Sequence, residues 1–261
     1  MSAQFPLGLQ PLLAPGASAE RPDVGRYRLT VPASPHNGRP PYVVAQLDDY
    51  HNRARRAFPW RPPCTLALRA RIFAGNLPGT WGFGFWNDPF SFSLGLGGAS
   101  RRFPALPNAA WFFYGSPPNY LSFRDDLPAQ GFLAATFRAP KLPAPLLALA
   151  SPGLILGALP VTARLLRRVL RGLIAQDACL IPPVVLSDWH HYRLNWEAGG
   201  VTFALDGNEI FTTPVVPCAP LALVLWIDNQ FAAFPPGGRI AFGSLPLPTP
   251  AYLELADIQI S

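Results

Sequence analysis

Two aspartates that close apolar, aromatic runs are the residues best placed for acid–base chemistry. Asp88 ends Trp81-Gly-Phe-Gly-Phe-Trp-Asn-Asp88 before a proline, and Asp228 ends Leu221-Ala-Leu-Val-Leu-Trp-Ile-Asp228. A carboxyl group held against Trp and Phe loses hydration in its charged form, so its pKa rises and a neutral acid persists near pH 7. His191 adds an imidazole, with Arg193 and Asn195 at the next alternate positions of the same run. Rings accompany these groups: Trp86 and Trp226 beside the two aspartates, and Trp111 and Phe113 within Ala109-Ala-Trp-Phe-Phe-Tyr114. Aromatic faces with a few directional polar groups suit sugar rings, whose C–H faces stack on π systems. They suit polycyclic or isoprenoid ligands equally well. Each polar residue also has a plain structural reading: Asp88 as a turn cap, Asp228 as a strand-end turn, His191 as a half-exposed strand residue.

Other constellations carry less. The four histidines, His36, His51, His190 and His191, lack the HxH and HxxxH spacing of a metal site. Asp48, Asp49 and Asn52 could serve a calcium loop but form no distinctive pattern. Gly95-Leu-Gly-Gly98 leads into no helix, so it is no phosphate loop, and Ser151 and Ser187 lack a nucleophile elbow. Asp125-Asp126 reads as a solvated turn. No metal and no cofactor are expected.

The elements that must position the candidates are strands. Gly25–Val31, Tyr42–Leu47, Thr65–Phe73, Trp81–Asp88, Ala109–Tyr114, Tyr120–Phe123 and Phe132–Phe137 precede a C-terminal series at Asp188–Trp196, Val201–Leu205, Glu209–Thr212, Leu221–Asp228 and Ala251–Ile260. Asp206-Gly207 is a tight-turn signal between two of them. Successive side chains of a strand point to opposite faces. Phe83, Phe85, Tyr192, Trp196, Leu223 and Leu225 are therefore assigned to the core between two sheets. Trp86, Asp88, His191, Arg193, Asn195, Trp226 and Asp228 are assigned to a single concave groove, walled by Trp111 and Phe113. One segment breaks the strand pattern. From Leu142 to Ala163 there is no charge, and then Val161, Leu165, Leu166, Val169, Leu173 and Ile174 recur at helical spacing opposite Arg164, Arg167, Arg168 and Arg171. The reading is one jelly-roll domain over 1–261 with an apolar, helical insertion at 140–182. The helix of 161–175 would pack on the sandwich with solvated arginines, cover the groove as a lid, or anchor the protein on an anionic membrane surface.

The order of these strands resembles concanavalin A-like lectins and glucanases. Leu66–Ile72 followed by Gly79–Trp86 is similar to the paired strands before the active-site strand of family 16 glycoside hydrolases. The resemblance covers about 65–137 and 184–261 and implies an all-β, two-sheet antiparallel jelly-roll sandwich. It also implies a strand bearing Glu-x-Asp-x-Glu, whose glutamates perform retaining hydrolysis. Here that strand reads Ala109–Tyr114, and no Glu occurs between Glu20 and Glu197. The two-glutamate machinery is therefore missing.

Composition narrows the partners. Apolar residues make up 49% and charged residues 14%, so apolar surface is left after a core is filled. The 33 prolines exclude long helices over most of the chain. Net charge is +6, nearly all arginine, without the clustered basic and stacking residues of a nucleic-acid surface, so no nucleic acid is expected. The three cysteines have no CxxC spacing, and the first twenty residues make a poor secretory signal. A cytoplasmic, peripheral-membrane location is the expectation. Three functions stay open: a lectin-like binder of a glycan, glycolipid or other amphiphile, an enzyme acting on an apolar or amphiphilic substrate with Asp88, Asp228 or His191, and a membrane-peripheral structural subunit.

Overall fold

The computed structural model describes residues 8–34, 40–73, 77–89, 105–142 and 160–261. Alternating side chains of two faces, punctuated by Pro and Gly, fold into two seven-stranded sheets. Sheet A runs in the order β1 (Gln10–Leu13), β4 (Val44–Asp48), β13 (Ala222–Asp228), β6 (Thr80–Trp86), β7 (Ala109–Gly115), β8 (Gly131–Arg138) and β9 (Ala175–Leu180). Sheet B runs β12 (Asn208–Thr213), β11 (Val201–Leu205), β10 (His190–Trp196), β5 (Cys64–Phe73), β16 (Ala251–Ile260), β3 (Arg26–Val31) and β2 (Ser18–Asp23). All pairings within both sheets are antiparallel. A separate hairpin joins β14 (Gln230–Ala233) to β15 (Ala241–Ser244).

The main core lies between the sheets. Phe83, Phe85, Phe112, Leu223 and Leu225 of sheet A meet Tyr192, Leu194, Trp196, Phe203 and Leu253 of sheet B, all fully or almost fully buried. The six residues assigned to the core from alternation are all in this cluster. Edge-on ring contacts tie the layers together, such as Tyr192 with Phe83 and Phe112, each at 5.0 Å. Three buried asparagines staple the connections by acting as extra peptide units. Asn108 bonds both backbone groups of Ala139, Asn119 bonds Ser116 and Ala232, and Asn229 bonds Val43, Pro41 and Leu245.

The insertion is narrower than expected. Residues 175–180, placed within it from sequence, are β9, paired along β8 at the edge of sheet A. Tyr120–Phe123 is no strand; Tyr120 makes only a bridge to Ala233. The helix, α1 (Pro160–Leu173), begins on a proline, whose missing N–H costs nothing in a first turn. Of the predicted apolar stripe, Ile174 just past the helix is buried, while Val161, Leu165, Val169 and Leu173 are exposed; of the four arginines expected in solvent, Arg167 is buried beside Ala163. No described helix is long and apolar enough to cross a membrane.

Candidate functional site

Sheet register brings most of the predicted groove residues onto one surface, the face of sheet A turned away from sheet B. Trp226 lies opposite Gln46 on β4 and Gly82 on β6, and Gly82 lies opposite Phe113 on β7. One residue pair along, Val224 lies opposite Asp48 and Gly84, and Gly84 opposite Trp111. Trp86 completes the patch at the end of β6. The two glycines supply the room. A Cβ on Gly82 would lie 2.6 Å from the Trp226 ring, so the indole rests on bare backbone. Trp111 lies 5.5 Å from Trp226 and 6.0 Å from Trp86, centroid to centroid, and 5.5 Å from Phe113. Trp86 and Trp226 are parallel within 7° at 6.4 Å.

This surface is not an open groove. Tyr50 and Phe58 fold over it and form a second apolar cluster with Phe113, Leu133, Val224 and Trp226. Trp226 keeps only 8% of its exposure, whereas Trp86 and Trp111 remain partly exposed. The Trp111 indole N–H is buried and has no hydrogen-bond partner among the described residues. The Trp86 indole N–H is likewise buried without a partner among the described residues, its ring 6.1 Å from that of Tyr50, centroid to centroid.

A polar row flanks the rings. Gln46 Nε2 donates to Asp48 Oδ2 at 2.8 Å and to the Tyr50 hydroxyl at 3.1 Å, and Asp48 Oδ1 accepts from the Tyr50 backbone N–H. Burial pushes the Asp48 carboxyl up, against the pull of those donors. The Tyr50 hydroxyl stands well above the usual phenol range through burial, reinforced by the charges of Asp88 and Asp48. It stays neutral and accepts from Gln46. Asp88 itself adopts a left-handed backbone with φ 49°, which Asp tolerates at turns. Its carbonyl, with that of Asn87, accepts from the Arg55 guanidinium, in keeping with the turn reading.

Asp228 is spent on structure. Only 4% exposed, it accepts from Thr80 Oγ1 at 2.7 Å, from the Gln230 N–H at 3.1 Å and from the Tyr42 hydroxyl at 3.2 Å. Trp226 Nε1 donates to the same Thr80 hydroxyl at 2.9 Å, so indole, hydroxyl and carboxylate form one polarised chain. Burial raises the Asp228 carboxyl to about 6. Asp49 is likewise raised to about 6 by burial, and its two oxygens are taken by the Trp60 indole N–H and the Leu223 backbone N–H. Among the described residues no cluster of His, Cys, Asp or Glu is arranged to hold a metal ion.

His191, Arg193 and Asn195 do not join this surface. They lie on β10 in sheet B, where alternation turns them outward, on the far side of the sandwich from Trp86 and Trp226. The facing was assigned correctly, but β10 belongs to the other sheet. Arg193 bonds Asn195 there, and His191 is exposed. Gln46, Tyr50, Phe58 and Thr80 were missed. Gln46 and Asp48 alternate with Ala45 and Leu47, and that period of two was the available signal for the polar row.

No protein-family model and no curated protein matches the chain. Among solved structures, it is similar to a Bacillus licheniformis beta-glucanase, with 11% identity and a TM-score of 0.51 over 98% of this chain and 94% of that one. A Bacteroides ovatus family 16 protein from a mixed-linkage glucan locus, solved with a G4G4G3G product, is similar at 9% identity and TM-score 0.48, covering 97% and 94%. At 11% identity the likeness to the glucanase is one of fold: the chain is a two-sheet antiparallel jelly-roll sandwich. Where the resemblance implied Glu-x-Asp-x-Glu, the outward positions of β7 are Ala109, Trp111 and Phe113.

Proposed function

We propose that the protein is a lectin-like binding module whose ligand, a glycan or the sugar portion of a glycolipid, stacks on Trp86 and Trp111. The observation that carries this reading is a pair of partly exposed indoles, held 6.0 Å apart on sheet A beside the polar row of Gln46, Asp48 and Tyr50. Rings provide stacking area for C–H faces, and the flanking amide, carboxyl and hydroxyl supply direction. A screen on arrayed glycans and glycolipid headgroups, followed by calorimetry, tests the reading. Trp86→Ala and Trp111→Ala should each weaken binding by about 1 kcal/mol or more, and affinity unchanged in both would overturn it.

A catalytic reading draws on one feature, the buried Asp88, whose charge acts on the Tyr50 hydroxyl. His191 lies on the other sheet, and Asp228 is held by three donors, so Asp88 alone would have to act. Turnover of a bound sugar that disappears in Asp88→Asn would favour this second reading. Binding without turnover favours the first.

A further inference from the structure

Helix α1 presents an apolar stripe to solvent. Val161 is 72% exposed, Leu165 60%, Val169 50% and Leu173 38%. Residues four apart advance about 40° around a helix, so the four side chains form one slanted ridge. Arg164, Arg168 and Arg171 are exposed in the neighbouring arc, with Arg171 within 3.3 Å of Asp125. An amphipathic helix on a sandwich ordinarily turns its apolar stripe inward. Here the inward arc holds Ala163, Leu170 and, just past the helix, Ile174, and it also takes in Arg167. Its buried guanidinium donates to the carbonyls of Ser122 and Phe234 and to Asp125 Oδ1 at 2.6 Å, and lies 5.5 Å from the Tyr120 ring. With that arc turned inside, Val161, Leu165, Val169 and Leu173 face out.

We infer that this ridge is a docking surface for an anionic lipid bilayer, on which the helix lies in the plane of the interface. The charge pattern selects the occupant. Arginines beside an exposed Val/Leu stripe place guanidinium groups at the phosphate level while the stripe enters the acyl boundary. A second copy docked through the same patch would set arginines against arginines across a two-fold axis, in a chain already carrying +6. This docking is independent of what Trp86 and Trp111 bind.

Co-sedimentation with phosphatidylcholine vesicles, with and without phosphatidylglycerol, tests it. Neither lipid carries a sugar that the platform would recognise. Binding is expected only with the anionic lipid and should weaken as salt rises. Replacing Arg164, Arg168 and Arg171 with Gln should lower partitioning on the order of a hundredfold, at about fivefold per arginine. Leu165→Asp with Val169→Asp should abolish it while Trp86→Ala leaves it intact. Both aspartates would be solvent-exposed, and if that variant nonetheless fails to fold, Leu165→Ser reads the same stripe. No binding to anionic vesicles, equal binding to both vesicle types, or indifference to these substitutions would overturn the inference. So would a concentration-dependent dimer in sedimentation equilibrium that Leu165→Asp dissolves.

Discussion

A Cβ built on Gly82 would sit 2.4 Å from the Phe112 carbonyl oxygen and 2.6 Å from the Trp226 ring. Neither neighbour gives way cheaply, since one is backbone and the other is an indole tied to Thr80. Gly82→Ala is therefore expected to cost about 1–3 kcal/mol in urea unfolding. Trp226→Ala empties a buried site and should cost about 3–5 kcal/mol. The two residues touch, so the double variant should lose less than the sum of the singles. An additive result would mean that the indole does not rest on Gly82. Trp86 and Trp111, being partly exposed, should cost less stability when truncated than Trp226, and their truncation should appear in binding instead. The same ring chemistry thus has two uses on one face, sorted by what covers each ring.

At the scale of elements, α1 is held by a buried arginine as well as by the packing of Ala163, Leu170 and the adjoining Ile174. Arg167→Leu keeps the bulk but strips donors from two carbonyls and a carboxylate, at an expected cost of about 2–3 kcal/mol. Hydrogen exchange should then rise first in the amides of 160–173, and uniform protection would show that packing alone holds the helix. The sequence revealed that this helix exists, through its 3.6-residue period, but not its rotation. Arg167 reads as one of four solvated arginines until Ser122, Phe234 and Asp125 are known to meet it. Strands were legible where alternation is strong, as in Thr65–Phe73, or where a continuous apolar run is long, as in Leu221–Asp228. β9 was not, because Ala175-Gln-Asp-Ala-Cys-Leu180 mixes small and polar residues and joins the sheet by edge pairing with β8. Facing was legible too, so Trp86, Trp111, Phe113, Trp226 and Asp228 fell on one surface. The sheet to which each strand belongs is a long-range property. That is why His191, Arg193 and Asn195 were grouped with residues on the opposite side of the molecule.

For the whole molecule, the buried carboxylates set the pH dependence of stability. Asp49 and Asp228 are raised from 3.8 to about 6, so the folded state holds their protons more tightly than the unfolded chain does. Their contribution is fully present below about pH 4 and is lost as pH rises through about 6, at about 3 kcal/mol each. Glu254 has the opposite sign. Despite burial, Arg28 and Arg71 hold it below 4.5, and its contribution is lost as pH falls through that lowered value. The melting temperature should accordingly rise on going from pH 7.5 to about pH 5 and fall again in stronger acid. Substitution separates the two aspartates. In Asp228→Asn the amide oxygen can accept from Thr80 and Gln230 while the amide nitrogen donates to the Tyr42 hydroxyl, which can turn to accept. That variant should be at least as stable as the parent at pH 7.5 and show a smaller gain on acidification. Asp49 has no such freedom, because Trp60 and Leu223 present only N–H donors to its two oxygens. Asp49→Asn would turn an amide N–H against one of them and should lose stability at every pH. Thermal melts of both variants across pH 4.5–7.5 decide the matter. A parent whose melting temperature is flat over this range would show that the two carboxyls titrate normally and that water reaches them.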